Sequence, residues 1–297
     1  MFKDLEELLQ TAKDRPKVKM AVAAAADSEV LEAIKEAQDN GMIDPVLVGS
    51  RDEILQAAQK AGLEVDDEQI VDCKEPEEIA HKTMQLVADG KAEFLMKGLI
   101  GTSTLLRALL TKEYGLRRDR LLSHLSVMDA GLGRLIIMTD GAMNIAPDLE
   151  KKAQIISNAA EVAQKLGIEK PRVAPVAAVE VVNPDMPATL EAAALSKMAD
   201  RGQIKNVEVD GPLAIDNAVD MKAAQHKGID SPVAGRADIL LMPDIEAGNV
   251  FYKSMLYLGK FRAASIVVGS KVPVVLTSRA DDAKTKLLSI GLGKLTI

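Results

Sequence analysis

The feature that most constrains this chain is the regular alternation of short apolar runs with longer amphipathic stretches. KVKMAVAAAA, from Lys17, is the first such run, and a charged helical stretch follows from Ser28 to an Asn40-Gly41 stop. PVLVGS leads into RDEILQAAQKAGL, which Gly62 ends, and EFLMKG leads into TSTLLRALLTKEYG. Apolar runs this short read as buried strands, and their separation by helices predicts a parallel sheet covered on both faces. The pattern continues. RLIIM, RVAPVAAVEVV, NVEVDG, ADILLMPD, ASIVVG and VPVVLTS are expected as strands, and LEAAALSKM, NVFYKSMLYLGKF and DDAKTKLLSIGL as helices. The helix after Asp140 is the best defined. Pro147 suits its first turn, Asp148 and Glu150 lie at the positive end of its dipole, and Gly167 ends it. Leu149, Ile156, Ala159, Ala163 and Leu166 form one apolar stripe along it.

A length of 297 residues suits two domains or one large α/β domain. With 47% hydrophobic residues the chain can bury a sizeable core, and disorder throughout is excluded. No run of about 18 apolar residues is present, so no membrane-spanning helix is expected. MFKDLEELLQ is acidic and lacks the apolar centre of a signal peptide, so the expected location is the cytoplasm. A net charge of −7 and the absence of Trp argue against nucleic acid as a partner. Cys73 is the single cysteine, so there is no internal disulfide, and His81, His124 and His226 lie too far apart for a zinc motif. No metal is expected.

In open α/β sheets, ligands bind beyond the carboxyl ends of the strands, so polar residues just after strands are the candidates. Lys97 and Gly98 close one strand, and Gly101, Thr102 and Ser103 open a helix carrying Arg107. Free N–H groups with a hydroxyl there suit an anion, although a Thr-capped turn has the same sequence. TDGAMN, Thr139 to Asn144, can hold a ligand or cap a helix. EVVNPDMPAT, with Glu180, Asn183 and Thr189, can line a ligand or serve as a rigid connector. Around PDIEAGNVFYK, Gly248 and Asn249 are expected to precede a helix bearing Tyr252 and Lys253, an arrangement that fits either a phosphate or carboxylate or a simple Asn cap. Ser278 and Arg279 directly follow an apolar strand and suit an oxyanion, or else a Ser cap with an exposed Arg. The chain lacks GK[ST], GxGxxG after the first strand, and GxSxG, which argues against a phosphate-binding loop, a dinucleotide fingerprint and a serine hydrolase.

At these places the chain resembles the phosphate acyltransferases, and the phosphate butyryltransferases more closely than the phosphate acetyltransferases. The match is carried by KGLIGTSTLLRALL, VNPDMPAT, DGPLAIDNAV, and AAQHKGIDSPVAGRADILLMPDIEAGNVFYK through VPVVLTSRADD. It runs from about Lys17 to the C-terminus. VEVVNPDMPAT carries the butyryl preference, since acetyl-type members tend to have a Ser/Thr/Gly-rich stretch there. The resemblance implies a two-domain α/β fold of the isocitrate/isopropylmalate dehydrogenase kind, with the active site between domains. Residues 1–122 with 271–297 would form one domain and residues 123–270 the other.

The implied reaction is reversible: acyl-CoA and phosphate give acyl phosphate and free coenzyme A. Both small molecules are substrates, and no bound cofactor is implied. By the same resemblance Arg279 binds phosphate or acyl phosphate, Ser278 hydrogen-bonds the transferring group, and Arg107 pairs with a substrate anion. Lys97, Thr102, Asn183, Asn249 and Lys253 are further substrate-binding candidates. Acetyl-type members carry an Asp several residues beyond the Ser-Arg pair as a candidate base for the thiol. Here that stretch reads ADDAKTK, and Asp281, nearer the pair, is the candidate. A homodimer or higher homo-oligomer is expected. A decarboxylating NAD-dependent dehydrogenase of the same fold would need an Asp cluster for its metal, which the sequence lacks. A non-catalytic binder would not need Ser278, Arg279 and Arg107 together.

Overall fold

The computed structural model describes residues 2–278 and 281–297, so Arg279 lies outside the described residues. The chain opens with α1 (Leu5–Asp14), β1 (Val18–Ala23), α2 (Ser28–Asp39), β2 (Ile43–Gly49), α3 (Arg51–Ala61), β3 (Ile70–Asp72), α4 (Pro76–Ala88), β4 (Phe94–Lys97) and α5 (Thr102–Leu109). Its middle contains β5 (Ser123–Asp129), β6 (Leu135–Thr139), α6 (Leu149–Lys165), β7 (Arg172–Pro175), α7 (Pro187–Asp200), β8 (Glu208–Val209), α8 (Ile215–Val219), α9 (Met221–His226), β9 (Ile239–Leu241) and α10 (Ile245–Lys253). It closes with β10 (Arg262–Val268), β11 (Val274–Val275) and α11 (Ala283–Leu295).

These elements form two compact units. One joins Leu5–Arg120 with Ala264–Ile297, so both ends of the chain build it, and the other is made by Leu121–Ala263 with the first few residues. In the split unit β3, β2, β1, β4 and β11 run parallel in that order, and β10 is antiparallel to β11. In the middle unit β6, β9, β7 and β8 are parallel in that order, and β5 is antiparallel to β6. The protein is therefore α/β with mostly parallel strands. The all-parallel expectation is corrected at two places, where connections of a few residues cannot make the crossover that a parallel pair needs. Gly131 and Gly133, at φ 69° and 68°, supply the tight reversal between β5 and β6.

Helices cover the strands as their patterns require. On α6 the side chain of Asp148 caps the N–H of Lys151 at 2.9 Å, while Ile156, Ala159 and Ala163 are buried. Pro147 therefore precedes the cap and is not part of the first turn. The C-terminal helix α11 is buried from Lys286 to Leu295 and packs on α1 and α2. Its Gly293 leaves no room for a side chain, since a Cβ there would lie 2.9 Å from Phe94 and Val275.

Other boundaries differ from expectation. α5 stops at Leu109, and RVAPVAAVEVV is a strand only over Arg172–Pro175. Strand β5 and helices α1 and α4 also form, without having been expected. In β5 the polar Ser123, His124 and Ser126 break the apolar signature, yet all three are buried. Ser123 Oγ accepts from Asn158 Nδ2 at 3.0 Å, and the His124 carbonyl accepts from Thr139 Oγ1 at 2.8 Å. Among the described residues no helix is long and apolar enough to cross a membrane.

Candidate active site

In the split unit, the parallel pairing of β1, β4 and β11 brings their carboxyl ends to one edge. Lys97 ends β4 and is buried, and its Nζ donates to the Gly98 carbonyl at 3.1 Å. Gly98 N–H donates to the Ala23 carbonyl at 2.8 Å and Leu99 N–H to that of Ala24 at 2.9 Å, which clamps this loop onto the end of β1. Any Cβ at Gly98 would fall 2.2 Å from the Ala24 carbonyl oxygen, so only glycine fits.

The cap of α5 is Gly101, which has no side chain to offer, and Thr102 is the first helical residue. The Thr-cap alternative is thereby removed, and the first turn presents N–H groups and the exposed Thr102 to the strand edge. Arg107 lies about 7.5 Å further along the helix axis. It lines a small cavity of about 130 Å³ with Glu77 and His81. No described contact joins it to the edge loops.

Beyond β11, the Asp281 carboxylate accepts the Ser278 N–H at 2.7 Å, and the Asp281 N–H returns to the Ser278 carbonyl at 3.2 Å. The cap of α11 is Asp282, whose side chain accepts from Thr285 N–H at 2.8 Å, so Ser278 does not cap that helix. Asp281 is buried, and desolvation raises its pKa above the usual aspartate value. The Ser278 N–H and the charge of Lys286 work against that rise without cancelling it. Lys286, itself buried, contacts the Asp281 carbonyl and pairs with Glu29 at 3.1 Å. The structure thus gathers Lys97, Thr102, Ser278 and Asp281 at the strand-end edge of one unit.

The middle unit holds the other candidates. Asp140, after β6, is buried and fully engaged. Its Oδ1 accepts the N–H groups of Ala142 and Met143, and its Oδ2 accepts His124 N–H and Asn144 Nδ2. TDGAMN is therefore a self-bonded loop, neither a cap nor an open ligand loop. His124 has a lowered pKa because it is buried, although the Asp140 carboxylate acts to raise it. Its Nδ1 has no hydrogen-bond partner among the described residues, and its ring meets Tyr252 edge-on.

Helix α10 begins earlier than expected. Asp244 caps it by accepting Ala247 N–H at 2.8 Å, which places Gly248 and Asn249 inside the helix and Lys253 at its last position. Neither the Asn cap nor the helix-start cation survives, since Lys253 sits at the negative end of the dipole. Gly248 and Gly141 let the helix touch the β6 loop, as a Cβ on Gly248 would lie 2.6 Å from the Asp140 carbonyl oxygen. Asn249 Nδ2 donates to the Gly141 carbonyl at 3.1 Å.

Asn183 is braced locally. Its Oδ1 accepts Asp185 N–H at 3.0 Å, and its N–H donates to Thr189 Oγ1 at 2.9 Å. The cap and first turn of α7, Met186 to Thr189, do line a cavity of about 850 Å³ with Met242 and Phe251 at the carboxyl ends of β7 and β9. Glu180 pairs with Lys227 at 3.0 Å. Among the described residues no His, Cys, Asp or Glu group could hold a metal ion. Reading the sequence missed His124, noticed only for its lack of metal spacing, and Lys286, whose signal is its position five residues after Asp281.

A family model described as "Phosphate acetyl/butaryl transferase" matches residues 4–83 and 76–292. A protein named phosphate butyryltransferase, from Clostridium acetobutylicum, is 49% identical over 99% of this chain and 98% of its own length. A phosphate acetyltransferase from Thermotoga maritima is 48% identical over 97% of this chain and 98% of its own. The crystal structure of a branched-chain phosphotransacylase from Enterococcus faecalis superposes with a TM-score of 0.84 at 34% identity, covering 94% of this chain and 98% of that one. These relatives and the α/β fold make the chain an acyltransferase. The chain belongs to the phosphate acetyl/butyryl transferase family.

Proposed function

We propose that this chain moves an acyl group reversibly between coenzyme A and inorganic phosphate, with butyryl as its acyl group. A second reading, a phosphate acetyltransferase or a broad-range short-chain enzyme, is favoured by the nearly equal identity to the Thermotoga protein. The observation that carries the first is the 49% identity over almost the whole chain to a phosphate butyryltransferase.

In the forward direction a phosphate oxygen attacks the thioester carbonyl carbon. The tetrahedral intermediate collapses, the C–S bond breaks, and the coenzyme A thiolate leaves and takes up a proton. Arg279 holds the phosphate, and Ser278 hydrogen-bonds the transferring group. Donors aimed at charge that develops in the transition state are among the largest catalytic effects. Asp281 exchanges the thiol proton, and its raised pKa brings it closer to that task than an ordinary aspartate. Lys97 and the first turn of α5 supply positive potential at the same edge, and Arg107 pairs with an anionic group of the substrate. Asn249 and Asn183 hold their loops in shape, and Lys253 offers a surface cation. Coenzyme A and phosphate are substrates, so no bound cofactor takes part. The two units support an isocitrate/isopropylmalate dehydrogenase-like architecture of two domains, which we place in the cytoplasm as a homo-oligomer.

The test is release of free coenzyme A from acetyl-, propionyl-, butyryl-, isobutyryl- and hexanoyl-CoA with and without phosphate. Phosphate-dependent release with the highest kcat/KM for butyryl-CoA is expected. One methylene in an apolar pocket is worth about 1–3 kcal/mol, so acetyl-CoA should be visibly poorer. Equal release without phosphate would indicate a thioesterase, and a higher kcat/KM for acetyl-CoA would favour the second reading.

A further inference from the structure

Lys286 stands where helix electrostatics disfavour it. It lies near the start of α11, and its N–H donates to the carbonyl of the cap residue, Asp282, at 3.1 Å. A cation is unfavourable at that end of a helix dipole. It is also buried, with 3% of its side chain exposed, and a buried ammonium needs close anionic or carbonyl partners. Two are present. Its Nζ contacts the main-chain carbonyl of Asp281 and pairs at 3.1 Å with Glu29, from the first turn of α2. Glu29 is half-exposed, so a chain of contacts runs inward from the surface. It passes from Glu29 to Lys286 to Asp281, and from the Asp281 carboxylate to the Ser278 N–H at 2.7 Å. A lysine that only tied α11 to α2 would need Glu29 alone. This one also grips the backbone of the residue whose carboxylate braces Ser278.

Among the described residues, the charges facing Asp281 are Lys286 and Asp282 from α11 and Glu29 from α2. Of the other charges around α11, Lys284 turns to Glu6 of α1 at 3.3 Å, and Lys97 of β4 donates to the Gly98 carbonyl at 3.1 Å. We propose that Lys286 is a positioning residue for acyl transfer: it holds Asp281 by its carbonyl, aims the carboxylate at Ser278 and, against the counterweight of Glu29, sets the charge that Asp281 carries. The assignment rests on the acyl transfer reading above for the reaction. In the direction that forms the thioester, the Asp281 carboxylate takes the proton of the coenzyme A thiol. The sulfur attacks the carbonyl carbon of butyryl phosphate, the C–O bond to the phosphate breaks, and phosphate leaves. Burial raises the Asp281 pKa; the Ser278 N–H and Lys286 oppose that rise, and Asp282 and Glu29 add to it. Lys286 and Glu29 therefore act on Asp281 with opposite signs. A role in packing alone carries no such sign.

Lys286→Met, Lys286→Arg and Glu29→Gln test it, assayed with butyryl phosphate and coenzyme A. In Lys286→Met, kcat at neutral pH should fall roughly 10- to 100-fold, the cost of misplacing a reacting group by about an ångström. KM for either substrate should stay within about twofold, because the lysine acts on the chemical step and not on binding. The acid limb of kcat/KM should move to higher pH in Lys286→Met and to lower pH in Glu29→Gln. Lys286→Arg keeps the charge and should restore the limb and part of kcat. The same displacements can be read without turnover, by NMR titration of protein carrying carbon-13 at its aspartate carboxyls. The Asp281 signal is the one lost in Asp281→Asn, and its midpoint should rise in Lys286→Met and fall in Glu29→Gln. Displacements of the same sign, no displacement in either variant, or a loss confined to KM would overturn the assignment. If Lys286→Met does not fold, Glu29→Gln at its half-exposed position still decides, and a wild-type midpoint there sinks the proposal. A wild-type protein that exchanges no acyl group between coenzyme A and phosphate would remove the acyl transfer reading, while the two midpoints still decide whether Lys286 and Glu29 govern Asp281.

Discussion

The Asp281 carboxylate accepts the backbone N–H of Ser278 at 2.7 Å. One buried acid thus shapes the serine's backbone and carries a raised pKa. Position and protonation at this turn are coupled through a single side chain.

Asp281→Asn separates the two roles. The amide oxygen can still accept the Ser278 N–H, so the turn should persist, while proton exchange with the thiol is lost. A fall of about 100- to 10,000-fold in kcat/KM is expected. The wild-type acid limb should lie above the ordinary aspartate range, because desolvation raises the Asp281 pKa, and should vanish in the variant. A folded carboxyl pKa above the unfolded one means that the stability Asp281 contributes is present at low pH and is lost as pH rises through the folded value. The Asn variant should therefore melt no lower than wild type at pH 7. A large drop in melting temperature there would mean that the carboxylate is structural.

Arg279→Ala should cost on the order of 100- to 1000-fold in kcat/KM, the usual effect of losing one donor to transition-state charge. Lysine should rescue only part of this, because a point charge cannot reproduce a two-pronged planar donor. Both variants should fold like wild type in a thermal melt. Near wild-type rates in a folded alanine variant would remove Arg279 from the site.

Gly98→Ala places a Cβ 2.2 Å from a backbone oxygen that cannot move without shifting β1. Overpacking against a fixed neighbour typically costs about 1–3 kcal/mol, and this contact should reach the upper end. Urea denaturation should record the loss. An unchanged midpoint would show that the end of β1 yields.

His124 is buried, and its pKa is lowered. A histidine whose folded pKa is depressed contributes stability above its unfolded value of about 6.5, and that contribution is lost as pH falls toward the folded pKa. The melting temperature should drop between pH 7 and pH 5 more steeply in wild type than in His124→Asn. Parallel slopes would assign the acid sensitivity to other groups.

Much of the strand and helix pattern was legible because apolar runs and glycine stops report local structure directly. Gly62 and the Asn40-Gly41 pair mark real helix ends. Strand β5 was hidden because its polar side chains are buried beside groups distant in sequence, such as Asn158, which donates to Ser123. The start of α10 was misplaced because Asp244 reads equally well as the end of a strand and as a cap. Lys97, Thr102, Ser278 and Asp281 could be picked out as residues after strands, but their assembly depends on β11 returning beside β4 from the far end of the chain.

Helix α11 follows the middle unit in the chain, yet it covers α1 and α2, which precede that unit. During synthesis at about 5–20 residues per second, the 143 residues of Leu121–Ala263 take about 7–30 s to emerge. Over that interval β4, with Phe94, lacks the helix that will bury it. The middle unit, continuous apart from its first few residues, does not have to wait. A nascent chain of this kind exposes an unfinished hydrophobic surface until α11 emerges, which makes that helix the point at which chaperone dependence and premature termination would be felt most.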